Sequence, residues 1–402
     1  MYDECPSGVT SPKGFYASGI HCGIKKVKKD LALVYSSEPA RVAGIFTKNK
    51  VPAAPVLITQ QQLERTAAVR AVLVNSGNAN ACTGERGLND AWAMVKSAAF
   101  HLGVSEREVL VSSTGVIGQY LPMDAIRSGI GEAMAMLDEA GHTAAAEAIM
   151  TTDKFSKELA VRVNIDGVDV TIGGMAKGSG MIAPNMATML AFITTDAAIT
   201  TDLLKYTLKH AADRSFNRIS VDGDTSTNDM VLALANGLAR NAELSSIDDP
   251  AYVRFYHAFE YLLTRLSKMI VTDGEGATKF IEICVTAAAT EEVAVQAAKA
   301  IANSNLVKTA INGEDANWGR ILTAVGYSGI EFDPEQVEIF FDDVPILQQK
   351  YRIDFSEADA KVVLQQKEIK IIVNLNQGSA SASFWTCDLS KDYVAINANY
   401  RT

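Results

Sequence analysis

Lys177-Gly178-Ser179-Gly180-Met181-Ile182-Ala183-Pro184-Asn185-Met186-Ala187-Thr188-Met189-Leu190 carries more information than any other part of the chain. A glycine-bearing run leads into Met186-Ala187-Thr188-Met189-Leu190, whose apolar end reads as the start of a buried strand. This is the layout expected where a chain cuts itself. A threonine hydroxyl attacks the carbonyl before it, the peptide becomes an ester, and water releases a new N-terminal threonine. The freed α-amine, with a pKa of roughly 8, can then take the hydroxyl proton of the same residue. On this reading Ala187–Thr188 is a processing site and Thr188 is the catalytic nucleophile. Taken only as a pattern, a glycine-rich loop entering an apolar strand is more often a plain loop and strand. Two other active readings fail on spacing. A P-loop needs G-x-x-x-x-G-K-[ST], whereas Lys177 precedes Gly178-Ser179-Gly180. A nucleophile elbow needs G-x-S-x-G, and Lys177 occupies the first glycine position two residues before Ser179.

The surrounding chain bounds the alternatives. Its 402 residues suffice for one large domain or two to three ordinary ones, and a 48% hydrophobic content supports a full core. A net charge of −10 and a pI near 5.1 argue against a nucleic-acid partner, which would call for a basic stripe. Met1-Tyr2-Asp3-Glu4-Cys5-Pro6 lacks a basic and then apolar leader, so no secretory signal is expected. A membrane span needs about 18 apolar residues. The longest candidate, 181–193, is broken by Pro184 and Asn185. The expectation is a cytoplasmic protein that binds neither membrane nor nucleic acid. Cys5, Cys22, Cys82, Cys284 and Cys387 are scattered and form no C-x-x-C pair, which reads as reduced thiols without a disulfide framework or zinc site. His21, His101, His142, His210 and His257 show no metal-ligand spacing.

Periodicity predicts strands at 31–35, 42–46 and 72–75 and a helix at 88–102 stopped by Gly103. Ser105-Glu106-Arg107-Glu108 has capping-box spacing before a strand at 109–112. Alanine-rich helices follow at 123–137 and 143–150, and strands 159–163 and 168–173 flank the turn signal Asp166-Gly167. Beyond the opening stretch come strand 189–194, helix 201–214, strand 230–235 and a long helix at 250–269. Strand 280–285 precedes helix 291–302, capped by Thr290, and strands dominate from about 331. Strict βαβ alternation is missing, so the pattern supports a mixed α/β fold and no more.

Several blocks stand in order around the opening stretch. They are Asn75-Ser76-Gly77-Asn78-Ala79-Asn80-Ala81-Cys82-Thr83-Gly84, Ser113-Thr114-Gly115-Val116-Ile117-Gly118, Val221-Asp222-Gly223-Asp224-Thr225-Ser226-Thr227-Asn228-Asp229, Asn317-Trp318-Gly319-Arg320 and Asn397-Ala398-Asn399-Tyr400-Arg401-Thr402. Together they closely resemble the ornithine acetyltransferase family, the glutamate N-acetyltransferases, over essentially the whole chain. The resemblance implies an α/β/β/α sandwich of the ornithine acetyltransferase/DmpA-like type, with a smaller C-terminal α/β part from about residue 281. It implies a cut into an α chain, 1–187, and a β chain, 188–402, which stay associated as a heterotetramer of two α and two β chains. The implied reaction is ping-pong. N2-acetylornithine acetylates Thr188, ornithine leaves, and glutamate takes the acetyl group to give N-acetylglutamate in arginine biosynthesis. No cofactor is expected, because the donor is itself an amide. Acetyl-CoA is the favoured second donor, although no residue decides it.

The same resemblance gives residues their roles. Thr114 and Gly115 form the oxyanion hole, offering a hydroxyl and a backbone N–H. On sequence alone they read more simply as a turn after a strand. Lys177 binds the α-carboxylate of the amino-acid substrate, and Thr151 and Thr152 belong to the substrate loop. That loop departs from the family pattern at Lys154-Phe155-Ser156-Lys157, where a threonine and a proline are expected. Glu275, set among glycines, binds the substrate's charged amine or side chain, or helps proton transfer. Asn397 and Thr402 bring the C-terminal tail into the site, although termini usually fray. Oxygen-bearing residues from Asp222 to Asp229 invite a calcium reading, which fails because Thr227 stands at the glycine position and Ala233 at the bidentate glutamate position. Two rivals remain: an N-terminal-nucleophile amidohydrolase or aminopeptidase of related fold, and a non-catalytic α/β binding protein.

Overall fold

The computed structural model describes residues 2–5, 7–183 and 189–399. The chain divides into two compact units, Met1–Asn217 with Asp224–Ile270, and Arg218–Gly223 with Val271–Thr402. The first unit holds β1 (Tyr2–Cys5), β2 (Phe15–Ile20), β3 (Leu31–Phe46), β4 (Ala68–Asn78), β5 (Val109–Val116), β6 (Lys157–Ile165), β7 (Val168–Lys177) and β8 (Leu190–Thr195). After the two-residue β9 (Ile219–Ser220) of the second unit, β10 (Met230–Ala235) completes it. The sheet order is β1-β6-β7-β8-β10-β3-β4-β5, with β2 on β3.

β3 organises this sheet. Its first residues pair with β2 and β4, and Arg41 to Phe46 pair with β10. The register shifts between Tyr35 and Ala40, where Pro39 removes a ladder donor. Such an irregularity bends a strand, so the two strands expected at 31–35 and 42–46 are one strand serving two layers. Side-chain alternation then assigns the faces. Leu31, Leu33, Leu73, Val109 and Val111 cluster with Met94, Val95, Ile126 and Ile130. Those last four lie on α2 (Gly84–Leu102) and α3 (Met123–Ala135), which follow α1 (Ala54–Arg65). The alternate residues Val34, Val72, Val74 and Leu110 cluster with Met175, Leu190, Phe192 and Leu232 of the other layer, and α4 (His142–Ile149) closes in with Ala145 and Ile149. α5 (Thr201–Arg214) is followed by α6 (Pro250–Thr272). α6 covers the outer face of β7, since a Cβ on Gly174 would lie 2.9 Å from both Leu262 and Leu266. The result is an α/β/β/α sandwich. Each fully buried Leu, Ile, Val or Phe in it contributes about 1.5–3 kcal/mol.

Local signals read from the sequence recur here. Gly103 ends α2 with φ 68°, and Ser105 closes a capping box with Glu108. Asp166 and Gly167, with φ 50° and 88°, make the left-handed pair that a two-residue hairpin turn demands.

The second unit has a six-stranded sheet that includes β11 (Phe280–Ala288), β12 (Glu338–Phe341), β13 (Val344–Leu347), β14 (Glu368–Asn374) and β15 (Ala380–Cys387), in the order β13-β12-β14-β11-β15-β9. Its helices are α7 (Glu291–Ala302), α8 (Asn305–Asn312), α9 (Trp318–Gly326), α10 (Glu357–Leu364) and α11 (Lys391–Ala398). Ile281, Ile283 and Val285 pack with Ala297, Ile301, Ile321 and Val325. Thr290 caps α7 by accepting from the Val293 amide, as its position predicts. The stretch after 331 holds two short helices besides its strands, both capped by serines, Ser356 and Ser390. Among the described residues no helix is long and apolar enough to cross a membrane.

Candidate active site

The proposed cleavage pair, Ala187 and Thr188, and the tail residue Thr402 lie outside the described residues. Their flanks are well defined. Antiparallel pairing sets Leu190 opposite Lys177, and parallel pairing sets it beside Met230. The Met230 amide donates to the Met189 carbonyl at 3.0 Å. On the other flank, Thr225 Oγ1 donates to the Ala183 carbonyl at 3.1 Å. The polar loop 225–229 therefore borders both ends of the 184–188 segment. It is itself pinned, because the Thr47 amide donates to the Asp229 carbonyl and the Ala53 amide to that of Thr227. Asp229 is buried, and its Oδ2 has no hydrogen-bond partner among the described residues. Burial drives its carboxyl well above the usual range, and hydrogen bonds from Ser226 and Met189 and the Lys177 charge pull it back only in part.

Lys177 ends β7 and is 8% exposed. Its ammonium donates to Thr151 Oγ1 at 2.8 Å and to Thr114 Oγ1 at 3.5 Å. Both threonine oxygens thus act as acceptors toward lysine, which leaves each hydroxyl proton free to point elsewhere. Thr152, next to Thr151, is half-buried. Asp153 organises this loop. Its Oδ1 accepts from Lys157 Nζ and the Gly178 amide, each at 2.7 Å, and its Oδ2 accepts from the Thr151 amide at 2.9 Å. Burial would raise the Asp153 carboxyl, but the Lys177 and Lys157 charges and these bonds outweigh it and hold the pKa far below the usual range. Both partners of the Lys157–Asp153 pair are fully shielded from solvent. Of the departures from the family pattern, Lys154 and Phe155 are exposed and Ser156 is half-buried, whereas Lys157 is buried and supplies the cation that pairs with Asp153.

Gly115 lies opposite Gly77 in the parallel β4–β5 pairing, with φ 133°. A Cβ there would come within 2.3 Å of the Gly77 carbonyl carbon and 2.5 Å of the Asn78 nitrogen, so only glycine fits. Side chains knit the blocks around it. Ser113 Oγ donates to Asn75 Oδ1 at 2.5 Å, Asn75 Nδ2 to the Asn78 carbonyl at 2.9 Å, and Asn228 Nδ2 to the Ser113 carbonyl. Thr114, Gly115, Thr151 and Lys177 are thereby collected in one place within the first unit. Sequence reasoning passed over Asp153 and Lys157 as actors. Their i,i+4 spacing beside the paired threonines was the available signal.

In the second unit Glu275 is 6% exposed, and its Oε2 accepts from Asn397 Nδ2 at 2.8 Å. The turn and the tail are clasped together. Ser390 Oγ donates to the Gly276 carbonyl at 2.6 Å, and Asp388 accepts from the Thr278 and Lys279 amides, each at 2.8 Å. Gly276, with φ 71°, lies so close that a Cβ would stand 2.4 Å from the Tyr393 nitrogen. Among the described residues of the tail, Lys391–Ala398 form α11, which holds Asn397 on Glu275. Among the described residues no cluster of His, Cys, Asp and Glu could hold a metal ion.

A sequence model of the ArgJ family matches residues 16–402. The arginine biosynthesis bifunctional protein ArgJ of Oceanobacillus iheyensis is 49% identical over 394 residues, 98% of this chain and 96% of its own. The protein of that name from Symbiobacterium thermophilum is 52% identical over 398 residues, 98% of each chain. Among solved structures, ornithine acetyltransferase of Mycobacterium tuberculosis complexed with ornithine is 43% identical, with a TM-score of 0.44, covering 46% of this chain and all of its own.

Proposed function

Because this chain belongs to the ArgJ family, we propose that it is the bifunctional acetyltransferase of arginine biosynthesis, working through Thr188. The observation that carries the mechanism is the meeting of Lys177, Thr114, Thr151 and Gly115 beside the strand that Leu190 begins. The chain first cuts itself between Ala187 and Thr188, giving α (1–187) and β (188–402) chains that assemble in the cytoplasm as two of each.

In the first half-reaction the Thr188 amine takes the proton of its own hydroxyl, and Oγ adds to the acetyl carbonyl of N2-acetylornithine. The oxyanion that forms accepts from the Gly115 amide and the Thr114 hydroxyl. Thr114 is suited to donate because its oxygen already accepts from Lys177. Each such donor lowers the barrier by about 3–4 kcal/mol. The C–N bond breaks, the amine proton passes to the leaving nitrogen, and ornithine departs. In the second half-reaction the glutamate amine attacks the acetyl ester through the same oxyanion site, the ester C–O bond breaks, the proton shed by the attacking amine returns to Thr188, and N-acetylglutamate leaves. Lys177 binds the substrate α-carboxylate, flanked by Thr151 and Thr152. Glu275, Asn397 and Thr402 keep the substrate-binding role that the resemblance gives them. No cofactor takes part. Acetyl-CoA serves as a second donor in the other activity, and neither nucleic acid nor membrane is a partner.

Intact mass spectrometry of the wild type beside Thr188→Ala tests the nucleophile. Two fragments meeting at 187/188 in the wild type and one chain in the variant are expected. One uncut chain in both removes the amine base and overturns the mechanism. The hydrolase reading is tested with N2-acetylornithine alone: steady release of acetate without glutamate would favour water as the acceptor.

A further inference from the structure

Lys25 reaches the site from a loop that the reaction above leaves unused. Four successive amides, those of Cys22, Gly23, Ile24 and Lys25, donate to the Asp30 carboxylate at 2.6, 3.2, 2.7 and 2.8 Å. Asp30 is completely buried, and its backbone is tied on both sides, by its own amide to the Ile20 carbonyl and by the Ser76 amide to its carbonyl. An anion wrapped by amides in this way makes a stiff support. It lays the Lys25 stem over Gly77, where a Cβ would come within 3.0 Å of Lys25 Cγ. Gly77 is the pairing partner of Gly115. The Lys25 ammonium donates to the Lys29 carbonyl at 2.8 Å and to the Met150 carbonyl at 2.6 Å. Met150 immediately precedes Thr151, the residue that Lys177 holds. One side chain therefore packs on the strand paired with the oxyanion strand and bonds to the residue that leads into the substrate loop.

Its charge matters as much as its bonds. Lys25, Lys28, Lys157 and Lys177 act together with Asp30 and Asp153, so the cations of this group outnumber its anions. The charged groups acting on Lys25 are Asp30, Lys177, Lys28 and Asp153. Burial lowers its pKa to about 8, with Lys177 and Lys28 adding to the fall and Asp30 and Asp153 opposing it. Two ammoniums that repel one another, one of them at the site, favour an incoming ligand of net negative charge.

We propose that Lys25 is a specificity-determining residue of this site, whose charge beside Lys177 favours the dicarboxylate acceptor over the zwitterionic donor. The proposal rests on the acetyl-transfer reading. Glutamate brings two carboxylates and must present a neutral amine to attack, so its reactive form is strongly anionic. N2-acetylornithine brings one carboxylate and one ammonium, and its charges cancel. A cation of the protein therefore stabilises the bound acceptor far more than the bound donor, without touching either reacting atom.

The test is steady-state kinetics on the processed enzyme with each substrate varied in turn, for wild type, Lys25→Met and Lys25→Arg. Wild-type enzyme that moves no acetyl group from N2-acetylornithine to glutamate overturns the reaction itself, and this proposal falls with it. With transfer present, Lys25→Met is expected to raise the glutamate KM about tenfold and the N2-acetylornithine KM less than about threefold. Lys25→Arg should restore both, because guanidinium keeps the charge. Equal rises for both substrates would reduce Lys25 to a brace and overturn the proposal, as would no rise for either. A second arm needs only the wild type and Lys25→Arg. As pH climbs from about 7 to 9 and Lys25 loses its proton, the wild-type glutamate KM rises relative to that of the arginine variant, in which the Thr188 amine and the glutamate amine titrate equally. Parallel curves overturn the proposal even where Lys25→Met does not fold.

Discussion

Replacing Asp153 by Asn changes one atom and disturbs everything gathered round Lys177. The carboxylate accepts three hydrogen bonds, two on Oδ1 from Lys157 and Gly178 and one on Oδ2 from the Thr151 amide. An amide side chain keeps only one acceptor oxygen, so its NH2 must face at least one of these donors, and at least one bond is lost. The lost charge costs more than the lost bond. Lys157 is fully buried against Asp153, and removing one partner of such a pair leaves an uncompensated ammonium, at a cost of about 3–5 kcal/mol. For a unit of this size each kcal/mol moves the midpoint about 2–4 °C, so the expected fall is about 6–20 °C. Thermal unfolding followed by circular dichroism would measure it. Adding Lys157→Met to Asp153→Asn should recover part of the loss, because the stranded charge is then gone. The pH dependence has a definite sign. The native Asp153 pKa is depressed, so its contribution is present above the unfolded value of about 3.9 and is lost as pH falls through the native value. The gap between wild type and variant should therefore hold from neutral pH down to about 4 and close only below it. A midpoint within about 2 °C of wild type at neutral pH would refute the claim that this pair is buried and mutually dependent.

Three further outcomes are expected. Gly115→Ala puts a methyl group into the Gly77–Asn78 backbone at a left-handed φ, and should lower kcat for acetyl transfer at least about 100-fold by displacing an oxyanion donor; a fall of less than about tenfold would argue against that role. Asp229→Asn should become more stable relative to wild type as pH rises from about 4 to 7. The raised native pKa means the unfolded chain releases a proton there that the native state keeps; a stability difference constant with pH would show that native Asp229 is ionised. Gly276→Ala must push Tyr393 away from the glutamate turn, so proteolysis within 390–399 should quicken and the substrate KM rise several-fold, at a cost of about 1–2 kcal/mol for the left-handed alanine; an unchanged cleavage rate would show that the clasp does not hold the tail.

Much of the fold was legible because its signals are local. Gly103 stopping α2, the Ser105 capping box, the Asp166-Gly167 hairpin and Thr290 at the head of α7 each depend on residues within one turn of chain. The ordered blocks carried the family. What escaped were features made by distant pairing. The bend in β3 was hidden because an apolar run looks alike whether it ends or turns into a second layer. The helices after 331 were lost among short strands of similar composition.

The site divides along the same line. The sequence by itself determined which groups are available: a threonine after a flexible run, glycines where backbones must touch, and a lysine eleven residues before Thr188. The tertiary structure alone decided which of them meet. Lys177 finds Thr114 across 63 residues, Asn228 finds Ser113 across 115, and Lys25 finds Met150 across 125. It also decided their charge states, since burial sets Asp229 toward its neutral form while two buried lysines hold Asp153 ionised. The reason is physical. Bond geometry and turn chemistry act over a few residues, whereas desolvation and Coulomb attraction depend on whatever the folded chain packs around a group.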